Sequence, residues 1–232
     1  GWVVVGAWLD SHDVAPYAGP VPRRVLVLGS DARPGADPLV HRMDSIHILT
    51  ADVASRSGAI LGYPRDSWVD TPYGSMRLNA IATSGRGAEA TFAFFTDTWK
   101  LPLEGYIVTG FAGFADIVDA VFGRLAVTIP IPIPTQPWYP GFRAGDHELS
   151  RERTLEFSRT RKGVPGGDFT RSFHHGVVML AALQTLQDAS IHALPPAIAE
   201  LSRHAVTDLS ATDLIQLGAI ALDLDIGRIT NE

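Results

Sequence analysis

Carboxylates and arginines collect in two short polar stretches that lie far apart in the chain. These residues are Asp31, Arg42, Asp44, Arg65, Asp66, Arg159, Arg161, Asp168 and Arg171. Guanidinium groups hold phosphate oxygens in pairs, and carboxylates are ligands that a divalent cation such as Mg²⁺ prefers. The two stretches together therefore predict a site that binds a pyrophosphate beside a divalent metal ion.

Asp31 and Asp44 are the candidate metal ligands. Asp31 follows a predicted strand at its carboxyl end, where open α/β sheets bind their ligands, and Asp44 directly precedes the next predicted strand. If the two strands are neighbours, both carboxylates can share one Mg²⁺ that keeps several water ligands. Alternatively, Asp31 stabilises the turn before Pro34 and Asp44 marks only the start of a strand. The residues alone leave both interpretations open.

The arginines lie at the ends of predicted elements or beside carboxylates. Arg159 and Arg161 point in the same direction if their segment is extended, and to different sides if it is helical. Asp168, Arg171 and His175 share one face of a predicted helix, opposite its phenylalanines, and the N terminus of a helix favours anions. Each arginine taken alone is also explained by a surface ion pair. The group as a whole predicts a phosphate site.

A set of large apolar residues is explained either as protein core or as the lining of a tunnel for a lipid tail. The set comprises Phe92, Phe94, Phe95, Trp99, Phe111, Phe114, Phe173, Met179 and Leu180. His174 and His175 are not a metal-binding pair, because adjacent helical positions diverge by about 100°. No P-loop, dinucleotide fingerprint or nucleophile elbow occurs in the sequence.

Composition narrows the class of protein. The 232 residues contain no cysteine, which excludes disulfides, cysteine–zinc sites and thiol nucleophiles, and a net charge of −6 disfavours a general nucleic-acid binder. No run reaches the roughly 18–20 apolar residues of a membrane span. The apolar opening, residues 1–9, is predicted to be a strand packed on the domain, the alternative being the trimmed end of a membrane anchor. The first residue, Gly1, indicates a processed product.

Alternating strand and helix patterns predict one α/β domain with a central mixed sheet flanked by helices. Strands are predicted at 24–29, 45–50, 59–61 and 106–108, and helices at 87–99, 110–122, 150–160, 168–189 and 210–227. Asp168 is the expected N-cap of its helix. Residues 125–133 are predicted to be an edge strand or an extended arm, because alternate prolines from Pro130 cannot donate ladder hydrogen bonds. We expect a lead-in over residues 1–23 and a catalytic domain over residues 24–232.

In order and spacing, these motifs resemble the LytR-CpsA-Psr family of cell-wall assembly enzymes. The resemblance is carried by VLVLGSDAR (25–33), RMDS (42–45), YPRDS (63–67), RLNA (77–80), GFAGF (110–114), SRTR (158–161) and GDFTR (167–171). It implies a domain outside the cytoplasmic membrane, behind a single N-terminal transmembrane helix that this sequence does not contain. It also implies transfer of a glycopolymer from a polyprenyl-pyrophosphate carrier to a hydroxyl of peptidoglycan or a related wall polymer.

The resemblance also implies roles for particular residues. Asp31 and Asp44 match the family's Mg²⁺ ligands, and an apolar cavity is expected to bind the prenyl chain. The residues assigned to the pyrophosphate are Arg42, Arg65, Arg77, Arg159, Arg161, Arg171 and His175. Those assigned to catalysis are Asp31, Arg42, Arg65 and Asp66, with Asp31 or Asp66 as the base. The sequence departs from the family at His174 and His175, where arginine and glutamine are usual, and at Arg77, where lysine is usual.

Two rival functions fit the same residues. A pyrophosphatase would use water in place of the acceptor hydroxyl, and a catalytically silent module would bind polyprenyl phosphates without turnover. The two histidines favour the silent module. A transcriptional regulator is disfavoured by the acidic charge and by the lack of a basic recognition helix.

Overall fold

A six-stranded mixed sheet forms the centre of the computed structural model, which describes residues 2–15, 17–19, 21–161, 163–189 and 191–232. The strands, in spatial order, are β10 (Ile229–Asn231), β3 (Ser57–Gly62), β2 (Met43–Asp52), β1 (Arg23–Ser30), β6 (Gly105–Gly110) and β9 (Ala205–Thr207). β1 runs parallel to β6 and antiparallel to β2. The predicted mixed α/β sheet is therefore confirmed, with β1 at its centre.

Two small hairpins and seven α-helices surround this sheet in the described residues. The hairpins are β4 (Trp68–Thr71) with β5 (Gly74–Arg77), and β7 (Leu125–Ile129) with β8 (Gly145–Leu149). The helices are α1 (Trp2–Ser11), α2 (Gly87–Ala93), α3 (Phe111–Phe122), α4 (Arg151–Arg159), α5 (Asp168–Asp188), α6 (Leu194–His204) and α7 (Ala211–Asp223).

The two faces of the sheet have different partners. On one face, Leu26 and Leu28 of β1 pack with Ile46 and Ile48 of β2 against α2 and the 3₁₀ turn before it, in a cluster that includes the buried Phe95. On the other face lie α3, α5, α6 and α7, with apolar space between them and the strands. A strand that is buried on both faces carries a continuous apolar run. The run in β1 therefore allowed this strand to be located correctly from the sequence.

The beginning of the chain is helical, so the prediction of a strand over residues 1–9 is wrong for the described part of that segment; Gly1 lies outside the described residues. A continuous apolar run carries no period that separates strand from helix. The packing decides here, because Leu9 is buried against Ile191, Leu194 and Ala219. No single helix in the described residues is long and apolar enough to span a membrane. The helical segments Asp168–Asp188 and Ile191–His204 reach that length and hydropathy only when taken together, and they are bent by 116° relative to each other.

The start and the buried face of α5 also differ from expectation. Gly167, at φ 55°, occupies the N-cap position, and Asp168 is the first helical residue. The helix buries Arg171 and both of its histidines, whereas Phe169 is 70% exposed. Periodicity predicts burial from hydrophobicity alone, and it fails where buried polar groups find partners.

The Arg23 side chain at the start of β1 is a buried cation, only 1% exposed. Its Nε and Nη2 donate to Glu104 Oε2 at 2.7 and 2.5 Å, and its guanidinium lies 3.9 Å above the Tyr17 ring. Asp213 Oδ1 lies farther away, at 3.9 Å from Arg23 Nη2, so loss of Glu104 leaves the buried charge with only a distant carboxylate, which is destabilising.

We therefore expect Glu104→Gln to lower the free energy of unfolding by about 2–3 kcal/mol, less than for a fully buried pair because Glu104 is part-exposed. Urea denaturation measures this change. Glu148→Gln, at an exposed position on β8, is the matched control and should change stability by less than about 0.5 kcal/mol. Equal midpoints for the two variants would contradict the assigned role of Glu104.

Candidate active site

A β-bulge positions Asp44. Gly29 pairs with Ser45 and Ser30 pairs with Met43, so Asp44 is an extra residue in β2 with no partner in β1. Bulges bend a strand and redirect a side chain, and they occur often beside active sites. Glycine is required opposite the bulge, because a Cβ at Gly29 would lie 2.7 Å from Ser45 Cβ.

Asp31 lies directly after β1, at the same end of the β1–β2 pair as the bulge. Its backbone N–H donates to Arg42 O at 2.9 Å, and its Oδ1 accepts from Arg42 N at 3.1 Å, which closes the loop of residues 31–42. Asp31 and Asp44 therefore lie at adjoining ends of two paired strands, as predicted. The Arg42 side chain is exposed at this loop.

The second polar stretch meets the first at Arg65. The Arg65 guanidinium forms an ion pair with Asp44 through Nη1 and lies 3.8 Å from Asp168 Oδ1 through Nε, while its backbone N–H donates to Asp168 Oδ2 at 3.0 Å. Arg171 pairs with Asp168 through Nη2, which also donates to the backbone carbonyl of Asp44 at 3.3 Å. Asp44, Arg65, Asp168 and Arg171 thus form one cluster, which we call the cup.

Four more predicted residues lie around the cup. Asp66 Oδ1 lies 3.3 Å from Arg77 Nη1, and Asp66 Oδ2 lies 4.0 Å from both Arg65 Nε and Arg161 Nη2. Arg77 and Arg161 remain exposed to solvent. Arg159 is exposed at the end of α4, with its guanidinium 5.2 Å from the centre of the Phe111 ring. The rim therefore carries solvent-exposed cations around a part-buried ion cluster.

Arg171 is 6% exposed, so its interpretation as a member of a surface ion pair is wrong. Burial lowers the pKa of Arg171, and the nearby Asp168 and Asp44 oppose this by raising it. Arginine stays protonated under such shifts. The base of the cup is therefore a permanent cation held by the Asp168 carboxylate and the backbone carbonyl of Asp44.

One buried polar atom of the cup, Arg65 Nε, lacks a hydrogen-bond partner among the described residues, with the carboxylate oxygens of Asp168 and Asp66 at 3.8 and 4.0 Å. Asp44 Oδ1 is also buried, but it is the atom that pairs with Arg65 Nη1. An unpaired guanidinium donor suits an anionic ligand such as a phosphate oxygen. The described residues contain no group of three or more histidine, cysteine or acidic side chains that could hold a metal ion. The donor set fits Mg²⁺, which binds through one or two carboxylates and completes its shell with phosphate oxygens and water.

The two histidines of α5 lie beneath the cup, against the protein interior. The His175 ring is 8% exposed, and its Nε2 lies 2.7 Å from Ser158 O of α4. The His174 ring is 1% exposed and stacks on Phe157 at 4.4 Å. His47 of β2 lies 5.6 Å from His175, ring to ring. The assignment of His175 to the pyrophosphate stays a prediction, and this placement gives it no support.

Apolar cavities of about 370 and 240 Å³ lie between the sheet and helices α3 to α7. They share Leu49, Ile107, Ile117, Met179 and Leu201. The smaller one extends to Gly29, Ser45 and Ser158, next to the cup. Of the apolar residues that the sequence left undecided, Phe111, Phe114 and Met179 line these cavities. Phe94 and Phe95 are core on the opposite face of the sheet, and sequence reasoning missed Leu49, Ile107 and Leu201.

Comparison with known proteins decides the family. A profile of the LytR_cpsA_psr family matches residues 11–231. The chain belongs to this family. Among similar sequences, the polyisoprenyl-teichoic acid–peptidoglycan teichoic acid transferase TagV of Bacillus subtilis (strain 168) is 27% identical over 189 residues, which cover 77% of this chain and 48% of TagV. The corresponding TagU of Bacillus mycoides (strain KBAB4) is 30% identical over 179 residues, which cover 75% of this chain and 57% of TagU.

The aligned part of the chain thus spans about half the length of these two relatives. The crystal structure of B. subtilis TagV superposes with a TM-score of 0.74 at 24% identity, covering 90% of this chain and 83% of the TagV chain. This LytR_cpsA_psr domain therefore shares the fold of TagV.

The buried histidines make the stability of the domain sensitive to acid. Burial lowers the pKa of His47 and His174 to about 4 and that of His175 to about 3. The unfolded chain, with ordinary histidine pKa values, binds more protons below pH 6.5, so stability is full above that pH and falls on acidification toward pH 4.

Between pH 6.5 and 4.5, we expect each buried histidine to lower the free energy of unfolding by roughly 1 kcal/mol per pH unit of acidification. His174→Phe should remove one of these three contributions. The Phe ring can keep the stacking on Phe157. Urea denaturation of wild type and variant at several pH values between 6.5 and 4.5 measures the difference in slope. Parallel pH profiles would show that His174 is not buried in its neutral form.

Proposed function

We propose that the chain is the extracytoplasmic catalytic domain of a membrane-anchored, Mg²⁺-dependent phosphotransferase. Its donor is a glycopolymer on a polyprenyl-pyrophosphate carrier, and its acceptor is a hydroxyl of peptidoglycan or a related wall polymer. The observation that carries the proposal is the cup of two carboxylates and two arginines at the edge of an apolar cavity. The relatives support it, since TagV and TagU are named as transferases of teichoic acid to peptidoglycan.

The metal would be held by Asp31 and Asp44. When bound, it supplies positive charge that neutralises the pyrophosphate. Asp44 suits this role because the bulge in β2 sets its part-buried carboxylate at the cup, where Oδ1 pairs with Arg65 Nη1. Asp31 suits it because it lies at the adjoining strand end with a part-exposed carboxylate.

The arginines bind and orient the diphosphate. Arg65 and Arg171 are fixed by Asp44 and Asp168, so their donors are oriented before the substrate arrives. The exposed Arg161 on the rim is free to approach the outer oxygens. Because phosphoryl transfer depends mainly on positioning and charge stabilisation, such preorganised donors account for much of the expected rate enhancement.

Asp66 is the base that we favour over Asp31. It lies on the open side of the cup among Arg65, Arg77 and Arg161, where an acceptor hydroxyl can approach from solvent. The acceptor oxygen forms a bond to the phosphorus that bears the glycan, and Asp66 takes the hydroxyl proton. The bond from that phosphorus to the bridging oxygen breaks, and polyprenyl phosphate leaves with its chain in the apolar cavity.

Arg65→Ala should lower the rate of glycopolymer transfer by about 10²–10³, because it removes a preorganised donor to the transition-state charge. The assay follows labelled glycan from the lipid carrier to peptidoglycan, with Mg²⁺ present. Arg203→Ala, which removes an exposed arginine paired with Glu200 on α6, is the matched control and should keep the wild-type rate.

Full transfer by the Arg65→Ala variant would contradict the proposed role of the cup. Release of free phosphorylated glycan by the wild type, with and without acceptor, would identify a pyrophosphatase instead. Binding of the lipid with no turnover would identify the silent module.

Met179→Trp tests the apolar cavity as the site of the prenyl chain. Met179 lines both cavities, so an indole there obstructs the passage between them. Exclusion of even two methylene groups weakens binding about tenfold. We expect that loss for polyprenyl pyrophosphate in a titration in detergent, and unchanged affinity for inorganic pyrophosphate. Equal affinities of wild type and variant for the lipid would place the prenyl chain elsewhere.

A further inference from the structure

A proline-rich hairpin after β7 presents a tryptophan beside the cup. Gln136 N donates to Tyr139 O at 2.7 Å, and Tyr139 N donates to Gln136 O at 3.0 Å, so Pro137 and Trp138 form the turn. The Trp138 side chain is 74% exposed. The indole at the tip of this hairpin also lines a groove, where it offers a large apolar face to a ligand.

The hairpin holds Trp138 in a fixed position. The prolines at 130, 132, 134, 137 and 140 restrict the backbone dihedrals of this segment. The Tyr139 hydroxyl bonds to Thr160 Oγ1 of the adjoining loop at 2.8 Å, and Arg153 Nη2 of α4 donates to Gly141 O at 2.7 Å. Gly141 has φ +66°, and a Cβ there would lie 2.4 Å from Ile133 O, so the base of the hairpin is tightly closed. Fixing an exposed side chain in advance lowers the entropic cost of binding through it.

Trp138 forms one wall of a groove of about 580 Å³ that runs along α4. Gln136, Glu152 and Glu156 contribute polar groups to the groove. At one end the groove reaches Arg159 and Arg161, the cations that rim the cup. This mixed lining differs from that of the apolar cavities, and it suits a ligand with an apolar face and many hydroxyl groups.

The groove and the smaller apolar cavity adjoin along α4. Glu152, Glu156 and Arg159 line the groove, Ser158 lines the cavity, and Leu155 lines both. The groove also reaches Arg161, which lies 4.0 Å from Asp66 on the rim of the cup. A lipid pyrophosphate that carries a sugar needs apolar, cationic and polar spaces that adjoin in this way.

We propose that this groove binds the sugar residues next to the pyrophosphate of the donor, with the Trp138 indole stacked on a pyranose ring. The proposal rests on the proposed function and adds the part of the substrate that the groove recognises. Glu152, Glu156 and Gln136 supply hydrogen-bonding groups for the sugar hydroxyls. The pyranose presents its C–H face to the indole, an amphipathic surface that offers large contact area at low conformational cost.

The test compares a polyprenyl pyrophosphate that bears a disaccharide with the same lipid lacking the sugar. Trp138→Ala should weaken binding of the disaccharide-bearing lipid about tenfold and leave binding of the sugar-free lipid within about twofold. Trp138→Phe should restore part of the loss. Tyr73→Ala, at the exposed turn of the β4–β5 hairpin, is the matched control and should leave both affinities unchanged.

Equal affinity of wild type and Trp138→Ala for the disaccharide-bearing lipid would overturn the groove assignment and leave the proposed function intact. A third arm of the experiment measures binding of soluble peptidoglycan fragments. If Trp138→Ala weakens only that binding, the groove belongs to the acceptor, and its assignment to the donor sugar is overturned. If the wild type binds neither lipid, the proposed function fails, and the donor assignment fails with it.

Discussion

The structure depends on the pairing of two arginines, the part-buried Arg65 and the buried Arg171, with carboxylates from segments far apart in the sequence. Arg65 lies between Asp44 of the β2 bulge and Asp168 of α5, and Arg171 is held by Asp168 and by the backbone of Asp44. A buried charge left without its partner is strongly destabilising. The bulge, the loop that carries Arg65 and the N terminus of α5 must therefore fold into one arrangement, which leaves the cup no freedom to open.

The same constraint prepares the site for the proposed ligand. Each guanidinium is already held by at least one carboxylate, so binding of the proposed diphosphate needs little reorganisation. The carboxylates also keep the net charge of the cup low, which limits the cost of placing two arginines side by side. Among the described residues, the unpaired Arg65 Nε shows where this internal pairing is incomplete, and there an anionic ligand has most to gain.

The sequence predicted local features better than contacts between distant segments. The apolar runs located β1, β2 and β6, and the motif order identified the family, because both are encoded in neighbouring residues. Arg65 pairs with Asp44 and also contacts Asp168, which lies about 100 residues further along the chain. The sequence carries no geometric signal for a contact between segments so far apart. The predicted N-cap role of Asp168 was wrong for the same reason, since its carboxylate accepts from Arg65 N and from the Arg171 side chain, while Gly167 occupies the N-cap position.

The histidines of α5 join that helix to α4. His175 Nε2 bonds to the last turn of α4 through Ser158 O, next to Arg159, and His174 fills core space against Phe157. Two neutral rings thus join α5 to α4, so the helix that supplies Arg171 is fixed to the one that ends at Arg159. Positions that could add charge to the site instead set the distance between its two arginine-bearing helices. The cationic character of the cup then depends on arginines alone, whose charge does not vary across physiological pH.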